Sequence, residues 1–340
     1  MERILSEIAK QVDSTVYDSS VIELVRKEYI PFEISDMNYN IVYPSSSDSE
    51  IIFIDGGNNE IIKASNFAVH LIRVCSTSFF GVDKKSVQVT EAYVFTRLET
   101  VDGELSFVSK VFPIKGALDI KDIIIKANDQ RILLNGKMPE ISSIAGHIRR
   151  ICELAVGYSY SLNKTVDFIV FDGGLDVNLK EEKEYLSKLI KNSITNDVHI
   201  AGLVKTNRIF TKSGEDLLVL LDKRAPMNVE WYYEIPTKTS YYLNTYVVKL
   251  HKRSDYRFRL EYLKGKHDVE DLLTVLVENS KDQLFLGYPY GLILSDKKGR
   301  ISNDEISYYR IKLEARMKDY PEVKKHFTTI NAHDTLDRFN

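Results

Sequence analysis

The sequence predicts an α/β fold, a mixed β-sheet with helices on its faces. Two apolar segments, IIFID (51–55) and VDFIVFD (166–172), read as buried strands, and each runs into Asp-Gly-Gly. Three extended segments lie between them and read as an antiparallel meander. Beyond them, helical and strand-like stretches alternate as in βαβ units. A meander followed by βαβ units implies a mixed sheet.

Taken in chain order, residues 2–29 read as helical, with Ile4, Ile8 and Val12, then Val21, Leu24 and Val25, as an apolar stripe. Packing on the core is the expectation for that stripe, and a partner-facing role is the alternative. PSSSDSE (44–50) is a loop ahead of the IIFID strand. The extended segments are 66–79, 86–98 and 104–113, with Asp102-Gly103 supplying a turn between the last two. Helices are expected at about 119–135 and 139–162, then the 166–172 strand, a charged helix at 178–193 and a strand at 198–205. Residues 229–262 are aromatic and β-rich. Helices close the chain at 268–280 and 303–317, with Tyr-Pro-Tyr (288–290) leading into GLILSD. No repeat or interdomain linker is evident. The expectation is a single domain over 1–340, its core at about 48–210 and a C-terminal β/α elaboration at about 211–340.

Bulk properties exclude several classes. The chain is 44% hydrophobic and 28% charged, with a formal net charge of −3, so no basic excess advertises nucleic-acid binding. Two cysteines, Cys75 and Cys152, cannot build a disulfide framework or a Cys-rich zinc site. Cys152 sits in an amphipathic helical stretch and reads as a core residue. MERILSEIAK lacks the apolar centre of a signal peptide, and no apolar run approaches the ~20 residues of a membrane span, so a cytoplasmic protein is expected. GxxxxGK[ST], HExxH, GxSxG and a GxGxxG after a strand are all missing, and the seven histidines show no zinc spacing.

The acids carry the chemistry. Asp55 and Asp172 each follow at least four apolar residues and precede two glycines, which let a ligand approach the backbone. Each motif also suits a plain turn. Glu153 lies in ICELA between the core-facing positions Ile144, Ile148, Ile151 and Ala155 and the solvent side. It is either a surface glutamate or a third acid aimed at the two strand ends. Three such carboxylates can bind Mg²⁺ or Mn²⁺, because hard cations prefer oxygen. Two ions about 3.5–4 Å apart suit phosphodiester cleavage.

This order of acids resembles the ribonuclease H-like fold. More closely, the chain resembles the NurA family of archaeal and bacterial DNA-end-processing nucleases, over nearly its whole length. The matching stretches are FIDGG (53–57), RRICELA (149–155), FIVFDGGL (168–175), GLVKTN (202–207), YVVKLH with FRLE (246–261) and GYPYGLILSD (287–296). The resemblance implies a ribonuclease H-like mixed sheet flanked by helices, with N- and C-terminal elaborations.

It also implies Asp55, Glu153 and Asp172 as metal ligands and Tyr288 as an active-site tyrosine. Asp296 stands where the family usually has histidine; it can bind a metal but cannot serve as an imidazole donor. Lys205 matches a family lysine, and it either neutralises the scissile phosphate or is an ordinary solvated lysine at a strand end. Lys249, His251 and Arg253, with Lys252, form a candidate phosphate patch or a charge-protected strand edge. Trp231, Tyr241, Tyr242 and Tyr246 either stack on bases or pack the sheet. The activity implied is a Mn²⁺- or Mg²⁺-dependent DNA exonuclease of 5′-to-3′ polarity with single-strand endonuclease action. A homodimer docked on a HerA-type hexameric translocase in double-strand-break end resection is implied with it. A catalytically weakened adaptor on the same fold, and an RNase or resolvase, are the rival readings.

Overall fold

β-Branched and aromatic runs build most of this molecule. The computed structural model describes residues 1–13, 21–43, 48–205, 209–239, 242–263 and 268–323. Helix α1 is Glu2–Asp13; strands β1 (Val21–Ile22) and β2 (Phe32–Glu33) form a small ribbon, and β3 is Tyr39–Ile41. The meander is β4 (Glu50–Lys63), β5 (Phe67–Phe80) and β6 (Asp83–Val101), extended by β7 (Glu104–Lys115) and β8 (Ile123–Lys126). Then come α2 (Ile144–Ser161), β9 (Phe168–Asp172), α3 (Lys180–Asn196) and β10 (His199–Val204). The C-terminal part holds α4 (Leu217–Arg224), β11 (Trp231–Ile235), β12 (Leu243–Lys249), β13 (Phe258–Leu263), α5 (Val269–Glu278), α6 (Tyr290–Gly299) and α7 (Asn303–Arg316).

One sheet of eleven strands joins both halves, in the order β3-β11-β12-β13-β10-β9-β4-β5-β6-β7-β8. Among the described residues, only β4–β9 and β9–β10 pair in parallel, each through a helical crossover or the meander, and the other pairings are antiparallel. The run β6-β5-β4-β9-β10 is the expected meander plus two parallel strands.

Alternation along β4 and β9 divides the core into two layers. Ile52, Ile54, Ile169 and Phe171 face α2 and α3, meeting Ile148, Ile151, Leu186 and Leu189. Ile51, Phe53, Phe168 and Val170 face the other way, onto Leu272, Leu276 and Leu292 of α5 and α6. Each such side chain contributes roughly 1.5–3 kcal/mol by leaving water. Helix α6 lies very close to β4 because it presents Gly291, Ser295 and Gly299 on one stripe. A Cβ at Gly291 would stand 2.0 Å from the Phe53 ring. The Ser295 hydroxyl donates to the Phe53 carbonyl at 3.1 Å, and Thr77 Oγ1 donates to the Gly291 carbonyl at 3.0 Å.

Four expectations are corrected. Helix α1 stops at Asp13; Val21 and Ile22 are β-branched and pair with β2, and Leu24 and Tyr29 join the α4 core instead of extending a helix. Ile4 and Ile8 do not pack on the core but stand exposed, since no described element covers α1, and the side chain of Val12 lies outside the described residues. The helix expected at 119–135 is replaced by β8 and turns. Ile123 and Ile125 point inward while Ile124 points out, a period of two that three β-branched residues favour. Finally, the first apolar strand does not end at Asp55. It runs on through Gly56-Gly57 to Lys63, because β5 pairs with it along the whole length.

Candidate active site

Asp55 sits where β4 parts from β9. The parallel pairing ends at Ile54↔Phe171, so Asp55 and Asp172 are the next residues in register on neighbouring strands. Both continue the parity of Phe53 and Val170, so both carboxylates emerge on the α6 face. Asp172 ends β9, and Gly173 follows with φ +107°, a conformation that glycine supplies without strain. The Gly56 N–H donates to Asp55 Oδ1 at 2.8 Å and fixes the rotation of that carboxyl.

Glu153 arrives from the opposite layer, on α2, and reaches the same strand edge: a Cβ on Gly56 would stand 2.8 Å from Glu153 Oε1. Its carboxylate is only 2% exposed and is held by two arginines of its own helix. Arg149 donates to Oε1 at 2.5 Å and to the Gly56 carbonyl at 2.9 Å. Arg150 donates to Oε2 at 2.9 Å and to the Gly174 carbonyl at 2.5 Å, with its guanidinium over the Phe171 ring. These arginines thus tie together the chain after Asp55 and the chain after Asp172. The spacing that reveals them, i to i+3 and i to i+4 in RRICE, was present in the sequence and not used.

Lys205, just past β10, ion-pairs with Asp172 Oδ2 at 2.5 Å, and its ammonium lies 4.9 Å from the centre of the Tyr288 ring. Tyr288 precedes α6 and is buried against Phe258 and Phe285. Its hydroxyl lies beside the Asp172 carboxylate without the alignment of a full hydrogen bond. Burial, then the Asp172 charge, pushes that phenol far above its usual range, so it is a neutral group here. Asp296, on α6, pairs with Arg300 at 2.6 Å.

The electrostatics show that the acids share one neighbourhood. The Asp55 carboxyl is pushed up to about 7, first by burial, then by the charges of Asp172 and Glu153, with a smaller push from Asp296. Residues separated by well over 200 positions therefore feel one another's charge. Crowded carboxylates of this kind favour a cation among them. The donors are all oxygens, which fits Mg²⁺ or Mn²⁺. As placed, however, Glu153 faces its arginines, and no three acid, histidine or cysteine side chains among the described residues stand close enough to hold one ion. Glu153, Asp172 and Asp296 are each ion-paired, with Arg149 and Arg150, with Lys205 and with Arg300, so each would fit a hard cation only after exchanging partners.

The remaining candidates lie elsewhere. Lys249 is buried, and burial with nearby Arg257 lowers its pKa; its charged neighbours are Arg257, Asp222, Asp255 and Glu230, not the acids of the site. His251 is half-buried, and its Nδ1 accepts from the Arg253 N–H at 3.2 Å, forming a turn that leaves Lys252 and Arg253 exposed. That turn touches the tyrosine loop from behind: a Cβ on Gly287 would stand 2.5 Å from Ser254 Oγ. Trp231 and Tyr246 are core residues, and the Tyr242 hydroxyl donates to the Leu175 carbonyl at 3.1 Å. Tyr241, and Thr206 and Asn207 of the GLVKTN stretch, lie outside the described residues. Sequence reasoning also passed over Glu261, buried on β13, which accepts the Leu175 N–H at 2.6 Å and pairs with Arg259 at 3.2 Å. It anchors the loop after Asp172.

No protein-family model matches the chain, and no curated protein matches it. Among solved structures, the NurA nuclease from Sulfolobus solfataricus superposes with a TM-score of 0.54 at 14% identity, covering 94% of this chain and 95% of that one. Endonuclease V from Ciona intestinalis, in complex with an inosine-containing DNA, matches at a TM-score of 0.37 and 11% identity, over 87% of this chain and 95% of that one, which is too distant to argue from. The chain has a NurA-like nuclease fold, a large mixed sheet flanked by helices. Among the described residues, no helix is long and apolar enough to cross a membrane.

Proposed function

We propose that this chain is a divalent-metal-dependent nuclease acting on DNA. The observation that carries the reading is the pair Asp55 and Asp172, at the ends of the matched run of adjacent parallel strands, with Asp55 pushed up to about 7 by burial, then by the charges of Asp172 and Glu153 and least by Asp296. Mn²⁺ or Mg²⁺ held by Asp55 and Asp172, with Glu153 and Asp296 completing the set, would supply an activated water and a counter-charge for the leaving oxygen. The chain's own groups do the rest. The Gly56 N–H holds Asp55 in one rotamer, Lys205 offers a positive charge to the scissile phosphate, and buried Tyr288 shapes the floor beside Asp172. Arg149, on the Gly56 carbonyl, and Arg150, on the Gly174 carbonyl, together fix the relative positions of the chain after each aspartate.

The resemblance of the sequence motifs extends this proposal. It adds 5′-to-3′ exonuclease action with single-strand endonuclease action, a homodimer, and work beside a HerA-type translocase in end resection. A weakened adaptor is the second reading, favoured by two observations: Glu153 is engaged by arginines, and Asp296 replaces the family histidine. The test is cleavage of linear and single-stranded DNA in Mn²⁺ against EDTA, using wild type, Asp55→Ala and Asp172→Ala. Wild type is expected to cleave only with metal, and each variant to lose on the order of 10³-fold or more while remaining folded. Undiminished cleavage in either variant or in EDTA overturns the reading. A wild type that binds DNA and does not cleave it favours the adaptor.

A further inference from the structure

We propose that Arg149 and Arg300 are phosphate-binding residues kept as internal counter-ions. They neutralise Glu153 and Asp296 until a nucleic-acid backbone takes them over, which leaves both carboxylates to the divalent cation. This rests on the nuclease reading above and goes further, by assigning the phosphate ligands and coupling them to the metal.

The argument starts from which charge faces which. Glu153 pairs with Arg149 and Arg150, Asp172 with Lys205 and Asp296 with Arg300, while Asp55 accepts a hydrogen bond from the Gly56 backbone N–H. Four acids thus stand among four cations, and the cluster is formally balanced by its own side chains. A phosphate backbone entering such a site finds positive charge only by drawing cations off the acids. A buried carboxylate stripped of its partner is costly, so the arginine leaves most readily when another cation replaces it.

Exposure separates the cations that can move from the one that cannot. Arg300 is 76% exposed, Lys205 44% and Arg149 31%, whereas Arg150 is 14% exposed; Arg149 is also held by the Gly56 carbonyl, but Arg150 is pinned by both the Gly174 carbonyl and the Phe171 ring. An exposed pair such as Arg300–Asp296 holds only weakly in water, and a fork-to-fork arginine–phosphate contact is stronger. Position agrees with exposure. Arg149 and Arg300 flank the same two residues of β4 from opposite faces. A Cβ on Gly56 would stand 3.2 Å from Arg149 Cγ, and one on Gly57 would stand 3.5 Å from Arg300 Cα. The Arg149 side chain and the Arg300 backbone therefore lie on opposite faces of the strand just beyond Asp55, at Gly56 and Gly57, and the Arg300 guanidinium extends from there to Asp296.

The consequence is reciprocal: nucleic acid raises the affinity for the cation, and the cation raises the affinity for nucleic acid by the same factor. The test is Mn²⁺ titration by calorimetry and Mn²⁺ electron paramagnetic resonance, with and without a cleavage-resistant phosphorothioate oligonucleotide. In wild type the oligonucleotide is expected to tighten Mn²⁺ binding about tenfold. In Arg149→Met/Arg300→Met, Mn²⁺ alone binds about tenfold tighter than in wild type, and the oligonucleotide no longer changes it. Should the double variant melt early, Arg300→Met alone, at an exposed helix end, reads the same effect at smaller size. Unaltered Mn²⁺ affinity and unaltered coupling in the variants overturn this inference and leave the nuclease reading standing. Failure of wild type to bind Mn²⁺ with or without oligonucleotide overturns both.

Discussion

Two copies of Asp-Gly-Gly, at 55–57 and 172–174, occupy the same sheet and behave differently. At 172 the strand ends: Gly173 turns at φ +107°, and Glu261 catches the chain through the Leu175 N–H. At 55 the strand continues, and its glycines serve close approach instead of turning. Glu153 and Arg149 cover Gly56 on one face, and the Gly299 carbonyl covers Gly57 on the other. The difference is in the neighbours. β5 pairs with β4 past Asp55, whereas β10 is the last parallel neighbour of β9 and lets the chain leave beyond Asp172. Local sequence chose the acid and the small residues; tertiary pairing chose what the glycines are for.

The pH dependence of stability sharpens that comparison most. Burial, then the charges of Asp172 and Glu153, push the Asp55 carboxyl up to about 7 in the fold, against 3.8 for a free aspartate. Between those values the unfolded chain releases a proton that the folded chain keeps. The stabilising contribution is therefore full below about pH 4 and lost as pH rises to about 7, on the order of 4 kcal/mol. Asp55→Asn keeps a neutral group throughout. In EDTA it is expected to match wild type near pH 4 and to melt at higher temperature than wild type at pH 8. Equal melting temperatures at pH 8 would remove the crowding of acids from the account.

Glycine substitutions break the comparison directly. Gly57→Ala places a Cβ 2.3 Å from the Gly299 carbonyl oxygen, a backbone atom, so α6 must shift. A loss of about 2–3 kcal/mol by denaturant unfolding is expected, and cleavage falls with it because α6 carries Asp296. Gly173→Ala meets no atom within 4 Å but must adopt φ +107°. Its cost is about 1–2 kcal/mol of backbone strain. If Gly57→Ala proved the milder of the two, the close seating of α6 would be wrong. The smallest effect belongs to Tyr288→Phe. It removes a buried hydroxyl that lacks an aligned partner, so unfolding free energy should stay within about 0.5 kcal/mol of wild type.

Much of this was legible in the chain, and the losses have physical causes. Apolar runs marked β4, β9 and β10, and the spacing of Ile144, Ile148 and Ile151 marked α2. Asp55 and Asp172 stood out because an acid directly after a buried strand is unusual. The helix expected at 119–135 failed because three consecutive isoleucines suit an edge strand as well as a helix, and only β7 decides. The length of β4 was hidden because Gly-Gly reads as a turn until a pairing partner is known. The engagement of Glu153 by Arg149 and Arg150 was written in RRICE, but the contacts of those arginines with Gly56 and Gly174 are long-range and invisible without the fold.

The central claim is that Asp55 and Asp172 share a divalent cation, and anomalous diffraction at the manganese edge from Mn²⁺-soaked crystals tests it most directly. The account predicts a strong peak bonded to oxygens of both carboxylates in wild type and none in Asp172→Ala. A peak elsewhere on the molecule, or none between these two aspartates at saturating Mn²⁺, would contradict it.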